Sequence, residues 1–183
     1  AHLHGALGLK DTSVRRKIIT LKLFYSYMCE RDRIASSPFA KLKFRFRQER
    51  RLPKTLAVSD VSKLLGCFDD PVAAPTPFAR ATAVRDAALI DLLISTGIRI
   101  GEAAAITLND IVASDRTVLI HGKGRKQRLI YISSAVTWNR LTTLAKERRR
   151  DGGVHLFVNR YGAPISVHGI EHIYKKYAKK ARL

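Results

Sequence analysis

Cysteine is scarce in this 183-residue chain, where Cys29 and Cys67 stand far apart and neither has a Cys or His at ligand spacing. That leaves no basis for a disulfide framework or a structural zinc site, and it fits a reducing, cytoplasmic setting. Long apolar runs are missing as well. The longest, Ala87 to Ile94, is interrupted by Asp91 and falls well short of the roughly 20 residues that span a bilayer, so a membrane partner is not expected. His2-Leu3-His4-Gly5 lacks the charged start and apolar centre of a secretory signal, and the chain opens on Ala1, so its start is expected to be trimmed. The most telling shortage is of acids. Only 15 Asp and Glu face 34 Lys and Arg, a formal net charge of +19, and self-repulsion of that size implies a polyanionic partner.

What remains is the composition of a folding protein. Hydrophobic residues make up 46% of the chain, enough for a core, and the length suits one domain or one domain with part of another. The second option is preferred. From Ser13 to about Arg31, Val14, Ile18, Leu21, Tyr25 and Met28 recur at steps of four and three, the pattern of an amphipathic helix, with Asp11, Thr12 and Ser13 as cap candidates. Ser36-Ser37-Pro38 predicts a short turn or helix, with Ser as cap and Pro in the first helical position. Residues 41–54, KLKFRFRQERRLPK, alternate Lys41, Lys43, Arg45 and Arg47 with Leu42, Phe44 and Phe46, and add Arg50 and Arg51. Such a segment is either an edge strand with a solvated basic face or a linker that tracks a phosphate backbone. Its place between two helical regions favours the linker.

Beyond Pro53, Ser59 is a candidate cap for a helix to about Phe68, with Val61, Leu64, Leu65 and Phe68 on one face. Asp69 to Pro77 reads as a break. A long, largely buried helix is predicted from about Ala79 to Ser95, ended by Gly97, and a new one starts at Ile100, so Arg99 sits at a helix-to-helix junction. Thr117 to Ile120 and Leu129 to Ile132 are strand-like and flank a basic, glycine-containing loop, His121 to Arg128, which predicts an antiparallel hairpin. A helix from Ser134 to Arg149, a break at Gly152-Gly153, a short Leu156-Phe157-Val158 segment and a last helix from Ser166 follow. On that helix Ile170, Ile173, Tyr174 and Tyr177 form a stripe read as core. The expected fold class is α+β, mostly helical with a small antiparallel sheet.

Two side chains carry candidate chemistry. Strand transfer at a phosphodiester builds negative charge on the non-bridging oxygens, and a guanidinium meets a phosphate with parallel hydrogen bonds. Arg99 follows the tight break Thr96-Gly97-Ile98 and has Glu102 three residues on to orient it. The plain alternative is a surface Arg-Glu pair. Lys123, in the hairpin, can reach a nucleic-acid groove or give a proton to a departing oxygen, or it is simply an exposed loop lysine.

Order and spacing together change the weight of these motifs. Thr96-Gly97-Ile98-Arg99-Ile100-Gly101-Glu102, followed by Leu108-Asn109-Asp110-Ile111 and then by Gly122-Lys123-Gly124-Arg125-Lys126-Gln127-Arg128, resembles the first catalytic box and lysine hairpin of the tyrosine recombinase and phage integrase family. The likeness runs from Thr12 to Leu183. It implies that Arg99 clamps a scissile phosphate, Lys123 assists the leaving 5′ oxygen and Glu102 supports them. It also implies a partial catalytic domain over 56–183, a basic linker over 45–55, and the end of a helical core-binding domain over 1–44. Lys41, Lys43, Arg45, Arg47, Arg50, Arg51, Arg125, Lys126 and Arg128 would then contact double-stranded DNA, with self-association into a tetrameric synapse in the complete protein. No cofactor or metal is expected. The family's His-x-x-Arg box and tyrosine nucleophile are not found: His172 leads only to Lys175, and by family order the box would begin just beyond Leu183. The chain by itself is therefore expected to bind DNA without cutting it. Competing readings are a non-catalytic DNA-binding protein derived from a truncated recombinase and, more distantly, a basic RNA-binding module.

Overall fold

The computed structural model describes residues 8–42, 55–68 and 76–183, and the chain divides into two compact units, Ala1–Lys54 and Thr55–Leu183. In the first unit, helix α1 (Asp11–Glu30) buries Val14 and Ile18, whereas Leu21, on the same stripe, stays exposed. None of the three cap candidates caps the helix. Lys10, in extended conformation, is the N-cap residue and makes no side-chain cap bond, while Asp11 places its negative charge in the first turn, where the helix dipole favours it. The Ser36-Ser37-Pro38 segment forms a turn in which Ser37 Oγ accepts from the Phe39 amide at 3.2 Å, and the Phe39 ring packs on Tyr25. Lys41 closes that turn rather than opening an extended run. Lys43, Arg45, Arg47, Arg50 and Arg51, with the rest of the expected linker as far as Lys54, lie outside the described residues.

The second unit is built on α2 (Val58–Gly66) and α3 (Pro77–Thr96). Ala57, not Ser59, caps α2, because its carbonyl already accepts from both Asp60 and Val61 at 3.0 Å and so closes the first turn earlier. Similarly, α3 starts at Pro77, which the composition had assigned to a break. Thr76 Oγ1 accepts from the Ala79 amide, and proline at the first helical position loses no hydrogen bond. The middle of α3 is buried on every side, at Ala87, Ala88, Leu89, Ile90 and Leu92, and its two buried acids are paired. Asp86 accepts from Arg85 and Lys176, and Asp91 from Arg140.

Gly97 ends α3 with φ 65°, the left-handed conformation predicted for it, and the short helix α4 (Ile100–Ala105) begins three residues later. A 3-10 turn then leads into three antiparallel strands in order, β1 (Ile111–Val112), β2 (Thr117–His121) and β3 (Gln127–Tyr131), with Leu119 opposite Leu129. The two-residue β1 was not foreseen, since so short a strand has no readable alternation. Val118 and Ile120 point into the core, while Leu129 (63% exposed) and Tyr131 (60%) face away from it.

Helix α5 (Ala135–Arg150) packs on α3, and α6 (Val167–Lys180) packs on α4 and α2. Ser134 and Ser166 cap them by accepting from Thr137 and Gly169 amides. Leu64, Leu89, Leu141, Leu156, Phe157 and Ile170 meet in one core, and the Phe68 and Tyr177 rings lie 4.3 Å apart. Tyr174, read as part of the core stripe, is instead 38% exposed, because one residue past Ile173 turns a side chain about 100° around the helix. This is the α+β class expected: mostly helical, with one small antiparallel sheet.

Leu141, fully buried in α5, tests that core. Leu141→Ala should cost about 2–5 kcal/mol in urea unfolding, and Tyr174→Ala about 0.5 kcal/mol or less.

Candidate nucleic-acid interface

Arg99 is placed by the chain reversal at Gly97. With Gly97 left-handed and Ile98 buried, the next side chain is turned outward, and Arg99 becomes the N-cap residue of α4 with its side chain 80% exposed. Glu102, on the first turn of that helix, is only 7% exposed. Its Oε2 accepts from the Arg99 amide at 3.0 Å, which is the carboxylate half of a capping box, and its Oε1 accepts from Arg99 Nη1 at 3.0 Å. A second guanidinium reaches the same carboxylate from the hairpin: Arg128 Nη1 and Nη2 donate to Oε1 and Oε2 at 3.0 and 2.7 Å. The Arg128 bonds and the Arg99 amide outweigh burial and hold the Glu102 carboxyl down at about 2 instead of 4.5.

Lys123 opens a 3-10 turn, Lys123–Arg125, between β2 and β3. The turn depends on Gly124, which has φ 76°, and it closes where the Gly122 amide donates to the Lys126 carbonyl at 2.7 Å. Lys123 and Lys126 are exposed, and together with Arg99, Glu102 and Arg128 they line one open cleft between the start of α4 and the hairpin. The five residues chosen from two motifs over 20 positions apart are thus brought together. Of Arg125 only the backbone course is described, and Lys41, exposed, belongs to the other unit.

One pair at this cleft escaped the sequence reading. His121 Nε2 lies 2.8 Å from Asp110 Oδ1, and Gln127 Nε2 lies 3.2 Å from His121 Nδ1. If the amide donates to Nδ1, the ring proton sits on Nε2 and points at the carboxylate. Asp110 is buried and also accepts from the Thr107 amide and hydroxyl at 2.8 and 2.7 Å. Burial pushes its carboxyl up, but the Thr107 amide, His121 and the Thr107 hydroxyl more than offset this, so the net shift is downward. The Thr107-Leu108-Asn109-Asp110 spacing, a capping box with Asp in place of Glu, was the readable signal. The histidine was not.

An exposed guanidinium and two exposed ammonium groups converge on this cleft above one buried, charge-balanced carboxylate, an arrangement suited to holding a phosphodiester and to stabilising charge that develops on it. Such a helical fold with a lysine-bearing hairpin beside an arginine at a helix start defines a class of protein. The phage integrase family matches residues 54–183, and the chain belongs to that family. It is 36% identical over 179 residues to a tyrosine recombinase of Agathobacter rectalis, covering 94% of this chain and 57% of the relative. It is also 33% identical over 180 residues to the tyrosine recombinase XerC of Bacillus subtilis, covering 95% and 56%. The chain therefore spans a little over half the length of these relatives. Among solved structures, XerH site-specific recombinase bound to palindromic difH substrate, a post-cleavage complex, superposes with a TM-score of 0.77 at 22% identity, over 99% of this chain and 53% of that one. A lambda integrase dimer bound to a COC' core site gives 0.67 at 16% identity, over 98% and 48%. Both likenesses are of fold.

The lowered Glu102 carboxyl sets a sign for acid stability. Its contribution is fully present above 4.5 and is lost as pH falls from there through about 2. Urea unfolding at stepped pH should show Glu102→Gln already weakened near neutrality, with a flatter decline than the native chain across that acid window. Parallel curves would mean that Glu102 carries no such linkage.

Proposed function

We propose that this chain binds duplex DNA and supplies part of a site for site-specific strand cleavage and rejoining through a 3′-phosphotyrosyl link, the activity of the complete protein. The observation that carries the reading is the convergence of Arg99 and Lys123 on one cleft over the buried Glu102. Arg99 donates to the non-bridging oxygens of the scissile phosphate, where charge grows in the transition state. Lys123, flexible and exposed at the turn, gives a proton to the departing 5′ oxygen. Glu102 holds the Arg99 backbone and side chain in place. Lys41, Lys43, Arg45, Arg47, Arg50, Arg51, Arg125 and Lys126 make phosphate contacts that fix register without reading sequence.

In this reading 1–44 is the end of a core-binding domain, 45–55 a basic linker, and 56–183 the first part of the catalytic domain. The complete protein works in the cytoplasm and assembles as a tetramer on DNA. Support comes from family membership, the +19 charge and the relatives' names, which are those of recombinases. The tyrosine and the His-x-x-Arg box are not found among these residues, so this chain by itself is expected to bind DNA without cutting it, while Arg99 and Lys123 act in the complete protein.

A mobility-shift titration should show binding to duplex DNA that weakens by roughly 10³-fold between about 50 and about 200 mM salt. A nicked suicide duplex should trap no covalent adduct with this chain, and an adduct would overturn the assignment of the nucleophile elsewhere. In a protein that carries the tyrosine, Arg99→Ala should slow cleavage on the order of 100-fold while most binding survives. Normal cleavage by that variant would remove Arg99 from the site. Stronger competition by RNA than by DNA duplex would favour the RNA-binding alternative.

A further inference from the structure

Arg128 lies in a strongly basic hairpin, and by position alone it is one more phosphate contact. Its geometry is of another kind. Both terminal nitrogens are engaged on Glu102, at 3.0 and 2.7 Å, a two-pronged bond that ties β3 to the first turn of α4 across 26 residues of sequence. The foot of the lysine turn rests on this pair. A methyl group built on Gly122 would stand 3.6 Å from Glu102 Oε1 and 3.7 Å from Arg128 Nη1, and Gly122 is the residue before Lys123. The same methyl group would meet the Lys126 carbonyl at 3.3 Å, so the turn is already closely seated.

The two arginines on Glu102 are not equivalent. Arg99 gives a single side-chain bond and keeps most of its guanidinium in solvent, whereas Arg128 gives the fork. Were Arg99 the only partner, turning its side chain towards a phosphate would leave the buried carboxylate with the neutral Arg99 amide as its donor and no cation beside it, next to an anion, which is costly for both. With Arg128 in place the carboxylate stays paired through that movement. The positive charge of Arg99 is then free to meet the phosphate.

We propose that Arg128 is a positioning residue, whose fork on Glu102 seats the Lys123 turn against the start of the Arg99 helix and keeps Glu102 paired when Arg99 engages a phosphate. This rests on the reading of Arg99 and Lys123 as phosphate-site groups. Lysine cannot substitute, since a single ammonium does not span both carboxylate oxygens.

Arg128→Met and Arg128→Lys, made in this chain, separate positioning from phosphate contact. Three quantities are measured: the ¹³C carboxyl titration of Glu102, hydrogen exchange at the Gly122 amide, and the salt slope of duplex binding. A positioning role predicts that the Glu102 midpoint rises from about 2 towards 4.5 in the methionine variant. It also predicts faster Gly122 exchange in both variants and a salt slope that stays put. A phosphate contact predicts a slope lowered by about 0.9 in Arg128→Met and restored in Arg128→Lys, with titration and exchange unchanged, and that result would overturn the proposal. Should Arg128→Met not fold, Arg128→Lys gives the same decision through Gly122 exchange, faster for a positioning residue and unchanged for a phosphate contact, since a lysine keeps the slope in either case. A chain that does not bind duplex DNA at all would sink the recombinase reading, while titration and exchange would still decide the role of Arg128.

Discussion

The Glu102 carboxylate, nearly out of solvent and bonded by the Arg99 amide, the Arg99 side chain and the Arg128 fork, is the interaction on which the cleft depends. It caps α4, orients the exposed arginine at that helix start, and ties the hairpin to it. A buried charge is tolerated only where it is hydrogen-bonded and paired, and here the pairing itself sets the distance between the two halves of the cleft. The carboxylate is thus a brace with a charge. Remove it and the two cationic segments repel.

The same arrangement is repeated through the second unit. Asp86 with Arg85 and Lys176, Asp91 with Arg140, and Asp110 with His121 are all buried acids tied to a basic group. In a chain with 15 acids against 34 Lys and Arg, pairs of this kind draw acids inside together with their partners, and the formal net charge of +19 falls to the remaining basic groups. Core order and external field therefore come from one distribution of charge. Polyanion attraction is its outward consequence.

Much of this was legible beforehand because it rests on local rules. Gly97 announced a helix end that needs a left-handed residue, the long apolar run of α3 announced a buried helix, and two β-rich runs around a glycine-bearing loop announced a hairpin. Errors fell where local rules compete. At Ala57 and Lys10, helices started from backbone bonds without using the better side-chain caps nearby, and at Pro77 a residue counted as a breaker served as the first helical residue. Tyr174 was assigned to the core with the stripe of Ile170, Ile173 and Tyr177, although it lies at the edge of that stripe on α6 and stays exposed.

By itself the sequence determined the fold class, the excess of positive charge and the two motifs that carry Arg99 and Lys123, since each is written in composition, periodicity or short spacing. Only tertiary structure decided that Arg128 turns to Glu102 and that His121 meets Asp110. Those partners lie 26 and 11 residues apart and come from different elements. Their meeting depends on how β2 and β3 pack against α4 and the turn after it. Pair spacing along a chain carries no record of that packing, because the contact exists only once the sheet and helix are closed on one core.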